Sequence, residues 1–195
     1  FNANKFLGSF SSYQDIPYSK IKSECCFIGR SNVGKSSLLN AVTKTKKLAK
    51  TSKTPGRTQS INVFEINNKI NIIDLPGYGF AKVSKVMRGN LINLIEEYIH
   101  YRKALDHVFL LIDAKVGIKN TDIDMMDYIN NCSKKFSLVL TKIDKISFNQ
   151  REFQKKSILS IMKNYKKTFQ NIYLSETKKN NGIYEIQKTI YGLLK

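Results

Sequence analysis

Hydrophobic and polar positions along the chain follow two alternating patterns, which together predict an α/β protein. Almost wholly apolar runs at residues 24–28, 107–113 and 136–140 are typical of parallel strands covered on both faces. Between them, apolar residues recur at three- and four-residue spacing, which indicates helices. The predicted helices are Lys35–Thr43, a stripe over residues 91–99, and residues 121–131, 148–165 and 183–193.

Two further runs, residues 60–66 and 69–74, predict a hairpin, because Asn67 and Asn68 between them suit a two-residue turn. The first of these strands should run antiparallel to the others. With a last strand at residues 171–174, we expect a six-stranded, mostly parallel sheet with one antiparallel edge strand and helices on both faces. Residues 1–20 are interpreted as a lead-in that is poorly structured or docked at an edge, and 21–195 as one domain.

Two local predictions follow from the helical periodicity. Thr121 is a possible N-cap, with Asp124 three positions on. The apolar residues of the 148–165 helix are expected to face the core; they are Phe148, Phe153, Ile158, Leu159 and Met162.

A glycine-rich segment joins the first buried strand to the first helix, and it fits the pattern G-x-x-x-x-G-K-[ST] in the context that the pattern requires. Backbone N–H groups of such a loop form an anion nest, and the helix N-terminus adds positive charge. Lys35 is expected to reach the β- and γ-phosphates of a nucleotide, and Ser36 to place a hydroxyl on Mg²⁺. The segment reads Gly29-Arg30-Ser31-Asn32-Val33-Gly34-Lys35-Ser36.

A second motif, Asp74-Leu75-Pro76-Gly77, directly follows an apolar strand. Asp74 is expected to hold Mg²⁺ through a water molecule. Gly77 has no side chain, so its N–H can approach a γ-phosphate closely.

The base-recognition motif follows another buried strand as Thr141-Lys142-Ile143-Asp144. A carboxylate at Asp144 can accept hydrogen bonds from guanine N1–H and the 2-amino group, a donor pair that adenine lacks. The stem of Lys142 can lie along the base. Ligands of open α/β sheets bind at the carboxyl ends of strands, which is where both motifs fall. Backbone N–H groups after the last strand are candidates for contact with guanine O6, at Ser175-Glu176-Thr177.

The net charge of +18, from 33 Lys and Arg against 15 Asp and Glu, suggests an anionic partner such as nucleic acid. An alternative stays open: Lys outnumbers Arg by 28 to 5, and codon bias in an AT-rich genome produces the same composition. The dispersed lysine pairs are by default a solvated surface.

Cysteines and hydropathy exclude several other classes. Cys25, Cys26 and Cys132 have no metal-ligand spacing and form no disulfide framework, so we interpret the first two as buried apolar residues. His100 and His107 are interpreted as structural. No apolar run approaches the roughly 20 residues of a membrane span, and the N-terminus does not resemble a secretory signal.

The motifs resemble those of the translation-factor-type GTPases and, within them, the EngB (YihA/YsxC) family of ribosome-assembly GTPases. The most discriminating segment is Thr51-Ser52-Lys53-Thr54-Pro55-Gly56-Arg57-Thr58-Gln59. The resemblance implies that Thr58 ligates Mg²⁺ in the GTP state, and that the protein acts in large ribosomal subunit assembly. It also implies a monomer bound to a ribosomal subunit or rRNA. We expect a cytoplasmic protein, or an organelle-matrix one if a targeting peptide precedes Phe1.

Motifs and resemblance together give the full set of expected site residues. Catalysis is assigned to Lys35, Thr58 and Gly77, and Mg²⁺ to Ser36, Thr58 and Asp74. GTP or GDP is expected to contact residues 29–36 and Ser37, Gly56, Arg57, Thr58, Gln59, Ser60, Asp74, Leu75, Pro76, Gly77, Thr141, Lys142, Ile143, Asp144, Leu174, Ser175 and Glu176.

Two positions affect the expected mechanism. Tyr78 stands where many GTPases carry a glutamine that orients the attacking water, so slow intrinsic hydrolysis of roughly 10⁻⁴–10⁻² s⁻¹ is expected. Asn32 resembles the potassium-coordinating asparagine of some related GTPases, which adds K⁺ as a possible cofactor. Two alternatives stay open: a nucleotide-gated RNA- or protein-binding module with negligible turnover, and a nucleoside triphosphatase of relaxed base specificity.

Overall fold

The computed structural model describes residues 4–17, 23–45, 60–79, 84–177 and 180–194. Its strands are β1 (Asn4–Phe10), β2 (Ser23–Gly29), β3 (Ile61–Ile66), β4 (Ile70–Asp74), β5 (Leu105–Asp113), β6 (Phe136–Thr141) and β7 (Phe169–Leu174). Its helices are α1 (Lys35–Thr43), α2 (Lys85–Tyr101), α3 (Asn120–Asn131), α4 (Phe148–Met162) and α5 (Ile183–Tyr191). Short 3₁₀ turns follow at Ile143–Lys145 and Lys163–Tyr165.

All seven strands form one sheet in the order β1-β3-β4-β2-β5-β6-β7. Strand β2 is parallel to β4 and β5, and the parallel pairing continues through β6 to β7. Strand β3 is antiparallel to both β1 and β4. The carboxyl ends of β2, β4, β5, β6 and β7 therefore share one edge of the sheet, which is where the sequence motifs fall.

The predicted α/β fold is confirmed, with seven strands where six were expected. The additional strand, β1, lies in the lead-in, so β3 is an interior strand and β1 occupies the edge. The register of β1 shifts between Phe6 and Gly8. Such a bulge interrupts the alternation of inward and outward side chains that would have indicated a strand in the sequence.

Helices cover both faces of the sheet, because neighbouring residues of each strand point to opposite faces. Cys25 and Phe27 of β2 pack with α1 and α5, whereas Cys26 and Ile28 pack with α2, α3 and α4. Both cysteines are buried as predicted, and burial raises the pKa of each thiol. Among the residues described, no helix is long and apolar enough to cross a membrane.

A buried ion pair fixes the segment after β1 to the rest of the fold. Arg102 donates to both carboxylate oxygens of Glu24, at 2.9 Å from Nε and 2.7 Å from Nη2. Tyr98 donates to the same carboxylate at 2.9 Å. The Arg102 guanidinium also donates to the carbonyl oxygens of Ile16 and Pro17. A bidentate, fully hydrogen-bonded pair of this kind offsets the cost of burying both charges.

One local prediction was wrong and another was only partly right. The N-cap of α3 is Lys119 rather than Thr121, because the Asp122 side chain accepts a hydrogen bond from the Lys119 N–H at 2.8 Å. Only part of the predicted apolar stripe of α4 is buried. Ile158 and Met162 face the core, whereas Phe148 is 70% exposed, Phe153 72% and Leu159 46%. At about 100° per residue these three fall outside the arc of the helix that meets the sheet.

The two histidines have structural surroundings in the fold. His107 of β5 is buried, with Nε2 3.0 Å from the Ser137 hydroxyl oxygen of the neighbouring β6. Burial, assisted by the nearby Lys135 charge, lowers the pKa of His107 to about 4. The ring is therefore neutral in the folded protein near pH 7. His100 lies at the last turn of α2, with Nδ1 3.6 Å from the Cys132 sulfur.

We expect His107 to make the fold acid-sensitive. Below about pH 6.5 the unfolded chain protonates this histidine while the folded chain does not, so stability falls as the pH falls from about 6.5 to about 4. The contribution is up to about 3 kcal/mol. Urea unfolding of the wild type and His107→Gln between pH 7.5 and 4.5 measures it. The variant should lose less stability over this range, and parallel losses would contradict the assignment.

Candidate nucleotide-binding site

The glycine-rich segment 29–36, here called the P-loop, connects β2 directly to α1. Gly34 is the N-cap of α1 with a φ of 103°, a left-handed conformation that glycine adopts without strain. Among the described residues, no side chain caps the first turn of α1. No side chain therefore occupies the N–H groups that open this helix, and anion binding there stays a prediction.

Close backbone packing explains the glycines at two other motif positions. A Cβ on Gly29 would lie 2.8 Å from the carbonyl oxygen of Leu111, which is too close for any other residue. A Cβ on Gly77 would lie 3.3 Å from both the Gly29 carbonyl oxygen and the Ser31 nitrogen. The Asp74-Leu75-Pro76-Gly77 segment thus runs directly against the P-loop.

Backbone hydrogen bonds join these two segments. The Tyr78 N–H donates to the Gly29 carbonyl at 3.2 Å, and the Ser31 N–H donates to the Tyr78 carbonyl at 3.0 Å. Beside this bridge, Lys35 Nζ forms an ion pair with buried Asp74. The other Asp74 oxygen accepts from Asn62 Nδ2 at 3.2 Å.

Residues 141–144, the predicted base-recognition motif, contact the P-loop on the side away from Tyr78. The Thr141 hydroxyl donates to the Val33 carbonyl at 2.6 Å. Lys142 Nζ donates to the Asn32 carbonyl at 2.7 Å and pairs with Asp113 Oδ2 at 2.8 Å. The motif therefore lies against the P-loop at the carboxyl edge of the sheet.

Asp144 lies in the turn that follows this contact. Its carboxylate forms a 3.4 Å ion pair with Lys145, and both side chains are reached by solvent. The turn is fixed by Arg151 of α4, whose Nε donates to the Ile143 carbonyl at 3.0 Å. Asp144 is thus accessible to a ligand while its backbone is held in place.

The segment after β7 approaches the same motif. The Ile143 N–H lies 3.5 Å from the Ser175 carbonyl oxygen. The N–H groups of Ser175 and Glu176 already donate to the carbonyls of Leu140 and Asn181. The buried Ser175 hydroxyl has no hydrogen-bond partner among the described residues. An unpaired polar atom of this kind suits a site whose polar partner is a ligand.

The structure places most, but not all, of the expected site residues. The P-loop, residues 74–77, residues 141–144 and residues 174–176 meet at one edge of the sheet. Ser37 is exposed on the first turn of α1, and Ser60 immediately precedes β3. The switch positions Gly56, Arg57, Thr58 and Gln59 lie outside the described residues.

Sequence reasoning missed three side chains that contact the site. Asn62 holds Asp74, and Asp113 holds Lys142. Asp113 had a usable signal, since a carboxylate ending an apolar strand lies at the ligand-binding edge. Asp122 had none, because its partners Tyr78 and Arg30 are distant in the sequence. Asn62 lies directly opposite Asp74 in the β3–β4 hairpin, so the predicted hairpin placed the two strands together and only the register decided the contact.

A buried polar network surrounds Tyr78. Its hydroxyl donates to Asp122 Oδ1 of α3 at 2.7 Å, and Arg30 Nε lies 3.2 Å from the same oxygen. Arg30 Nη2 also donates to the Gly117 carbonyl at 2.9 Å. Burial, followed by the Asp122 carboxylate, raises the pKa of Tyr78. Tyr78 therefore serves as a neutral hydrogen-bond donor that connects the end of the Asp74–Gly77 motif to α3.

This fold and arrangement of loops define the class of protein as a P-loop GTPase. A family model described as "50S ribosome-binding GTPase" matches residues 24–142. The chain is 38% identical to the probable GTP-binding protein EngB of Neisseria gonorrhoeae, covering 97% of this chain and 90% of that protein. It is 42% identical to the protein of the same description from Mycoplasmopsis synoviae, covering 94% of each. The chain therefore belongs to the EngB family of GTP-binding GTPases.

Solved structures agree on the fold. A crystal structure of a probable EngB protein superposes with a TM-score of 0.68 at 24% identity, covering 88% of this chain and 98% of that one. Era in complex with MgGDPNP and a segment of 16S ribosomal RNA gives a TM-score of 0.70 at 26% identity. That match covers 91% of this chain but only 58% of Era.

We expect the Tyr78 hydroxyl to contribute measurably to stability. Tyr78→Phe keeps the ring but removes a donor to a buried carboxylate, which should lower the free energy of unfolding by about 1–3 kcal/mol. Urea unfolding at pH 7 measures the change. Tyr184→Phe, at a ring that is 72% exposed, is the matched control and should stay within about 0.5 kcal/mol of wild type. Equal stabilities of Tyr78→Phe and wild type would exclude the proposed role.

Proposed function

We propose that this chain is a Mg²⁺-dependent switch that binds GTP, hydrolyses it slowly to GDP and phosphate, and acts in large ribosomal subunit assembly. The main support for a nucleotide site is that Thr141 and Lys142 donate hydrogen bonds to the P-loop carbonyls of Val33 and Asn32. This contact brings a phosphate-binding loop and a base-recognition loop together at one edge of the sheet.

The residues at this edge fit Mg²⁺ as it is usually bound with nucleotides. Ser36, Asp74 and Thr58 would hold it. Mg²⁺ binds through one or two carboxylates together with substrate phosphates, and Asp74 is a buried carboxylate beside Lys35. When bound, Mg²⁺ supplies positive charge that neutralises the phosphates.

The protein groups stabilise charge rather than form covalent intermediates. Lys35 and the N–H groups at the start of α1 bind the phosphates, and the Gly77 N–H senses the γ-phosphate. In the structure Lys35 is paired with Asp74, so nucleotide phosphates must compete for its ammonium group. The switch segments, about residues 44–60 and 75–89, would order with GTP and relax with GDP.

Slow hydrolysis is supported by the position of Tyr78. Its hydroxyl is held by Asp122, so it is not available to orient a water molecule.

K⁺ dependence is proposed on the basis of Asn32. The Asn32 carbonyl accepts a hydrogen bond from Lys142, which fixes the backbone at this position. The residue is exposed, with a φ of 62°.

The ribosomal part of the proposal is supported by the comparisons. The matching family model is described as ribosome-binding, with the 50S particle named. Era, a related GTPase, was crystallised with a segment of 16S ribosomal RNA. The net charge of +18 suits an RNA-containing partner.

We expect Asp144→Asn to change base preference. The amide cannot accept both guanine hydrogen bonds, so GTP affinity should fall roughly 10- to 150-fold while XTP affinity rises. Equilibrium titration with fluorescent GTP and XTP measures both constants. Lys145→Gln removes only the exposed partner of Asp144 and is the control; it should retain GTP affinity. An unchanged GTP preference in Asp144→Asn would favour a relaxed-specificity nucleotide site.

Three measurements on the wild-type protein test the function as a whole: single-turnover hydrolysis, co-sedimentation with ribosomal subunits and multiple-turnover phosphate release. Single-turnover hydrolysis without a partner should run at roughly 10⁻⁴–10⁻² s⁻¹ and slow when Na⁺ replaces K⁺. A rate near 1 s⁻¹ would exclude a slow switch, and equal rates in the two salts would exclude a K⁺ requirement for hydrolysis.

Co-sedimentation with large ribosomal subunits should be stronger with a non-hydrolysable GTP analogue than with GDP. Equal pelleting with both would contradict a switch, and no multiple-turnover phosphate release would favour a pure binding module.

A further inference from the structure

The solvent face of α4 carries large apolar side chains that the fold does not bury. Phe148 and Phe153 are about as exposed as any aromatic residue described, and neither ring contacts another aromatic ring among those residues. Among the described residues, the only other exposed phenylalanine is Phe6, which lies on the edge strand β1. Two exposed phenylalanines on one helix need an explanation, because burying such a ring normally contributes about 1.5–3 kcal/mol.

The same face is strongly basic. Between residues 148 and 167 the only acidic side chain is Glu152, whereas the basic ones are Arg151, Lys155, Lys156, Lys163, Lys166 and Lys167. The five lysines are all exposed. Within the part of the chain that the structure describes, none of them forms an ion pair. Their charges are therefore available to an external anion.

Helix geometry interleaves the two kinds of side chain. At about 100° per residue, Lys156 lies about 80° around α4 from Phe148 and about 60° from Phe153. Viewed down the helix axis, Lys156 therefore lies between the two rings, with Phe153 about one turn and Phe148 about two turns towards the N-terminus of α4. Proteins that bind single-stranded nucleic acid combine basic residues for the phosphates with aromatic rings on which bases stack.

We propose that the exposed face of α4, with Lys163 directly after it, is a docking surface for unpaired bases of an RNA strand; on α4 the surface is formed by Phe148, Phe153, Lys155 and Lys156. The phenylalanines stack on bases and the lysines bind the neighbouring phosphates. The surface is separate from the nucleotide site, yet α4 is linked to it because Arg151 donates to the Ile143 carbonyl beside Asp144. This inference extends the proposed ribosomal role but is tested independently of it.

Charge complementarity favours RNA over a protein partner. A purely apolar protein groove would contact the phenylalanines but would leave the charges of the neighbouring lysines uncompensated. RNA uses both, since sequence-tolerant stacking and phosphate neutralisation act together.

The test measures binding of the full-length chain to fluorescein-labelled single-stranded oligo(U) and oligo(A) and to a duplex RNA of equal length. Phe148→Ala and Phe153→Ala should each weaken single-strand binding roughly 5- to 150-fold. Phe153→Tyr should retain binding, and Phe153→Leu, which keeps an apolar side chain without a stacking ring, should lose it. The double variant Lys155→Gln/Lys156→Gln should reduce the salt slope of log K by about 1.4.

Tyr184→Ala is the matched control, because this ring is equally exposed but lies on α5, which covers the other face of the sheet. It should leave RNA binding unchanged. Circular dichroism melts and GTP titration of every variant establish that the fold and the nucleotide site are intact. RNA affinity that is unchanged in Phe148→Ala/Phe153→Ala, or reduced as much by Tyr184→Ala, overturns the proposal. Wild-type RNA affinity of Phe153→Leu would show that a stacking ring is not required and also overturns the proposal.

Co-sedimentation with large ribosomal subunits separates this inference from the proposed function. If the protein pellets with subunits in a GTP-dependent manner while oligonucleotide binding does not depend on the phenylalanines, the function stands and the α4 surface is rejected. If oligonucleotide binding depends on them but no subunit association occurs, the surface stands and the ribosomal role is rejected.

Discussion

The P-loop depends on hydrogen bonds that its carbonyl groups accept from the rest of the chain. Tyr78 donates to Gly29 from one side, and Thr141 and Lys142 donate to Val33 and Asn32 from the other. A carbonyl that is held by an outer partner cannot turn towards a bound anion. With the carbonyls occupied, the N–H groups at the start of α1 are left to meet the phosphates in the proposed nucleotide site. The anion nest is thus built by distant residues as much as by the loop itself.

The same contacts explain why the motifs lie where they do in the sheet. Each follows the carboxyl end of a strand, and the parallel pairing of β2 with β4 and β5, and of β6 with β5, brings those ends together. Gly29 allows a backbone approach that a Cβ would prevent, and at Gly77 a Cβ would make a tight contact with the P-loop backbone. Packing between loops, rather than ligand binding alone, therefore restricts these positions.

Tyr78 gives the site a connection to α3. Its buried hydroxyl, the Asp122 carboxylate and the Arg30 guanidinium form a network that ends one residue beyond Gly77. A side chain fixed in this way stabilises the segment that directly follows Gly77. The catalytic geometry for rapid hydrolysis would then have to be completed by another group, which agrees with the slow intrinsic hydrolysis proposed for this chain.

The sequence by itself determined the site class and most of the fold. The P-loop pattern, Asp74–Gly77 and residues 141–144 are local signals, because each motif needs particular residues at fixed spacing beside a strand. The Asn67-Asn68 turn was equally local, with φ values of 51° and 56° that asparagine tolerates. Only the tertiary structure decided the partners of Asp74 and Lys142, the burial of Asp122, the strand formed by residues 4–10 and the exposure of Phe148 and Phe153. These features depend on which surfaces meet when distant segments pack. Periodicity along one helix or strand predicts the element itself but not the residues that pack against it.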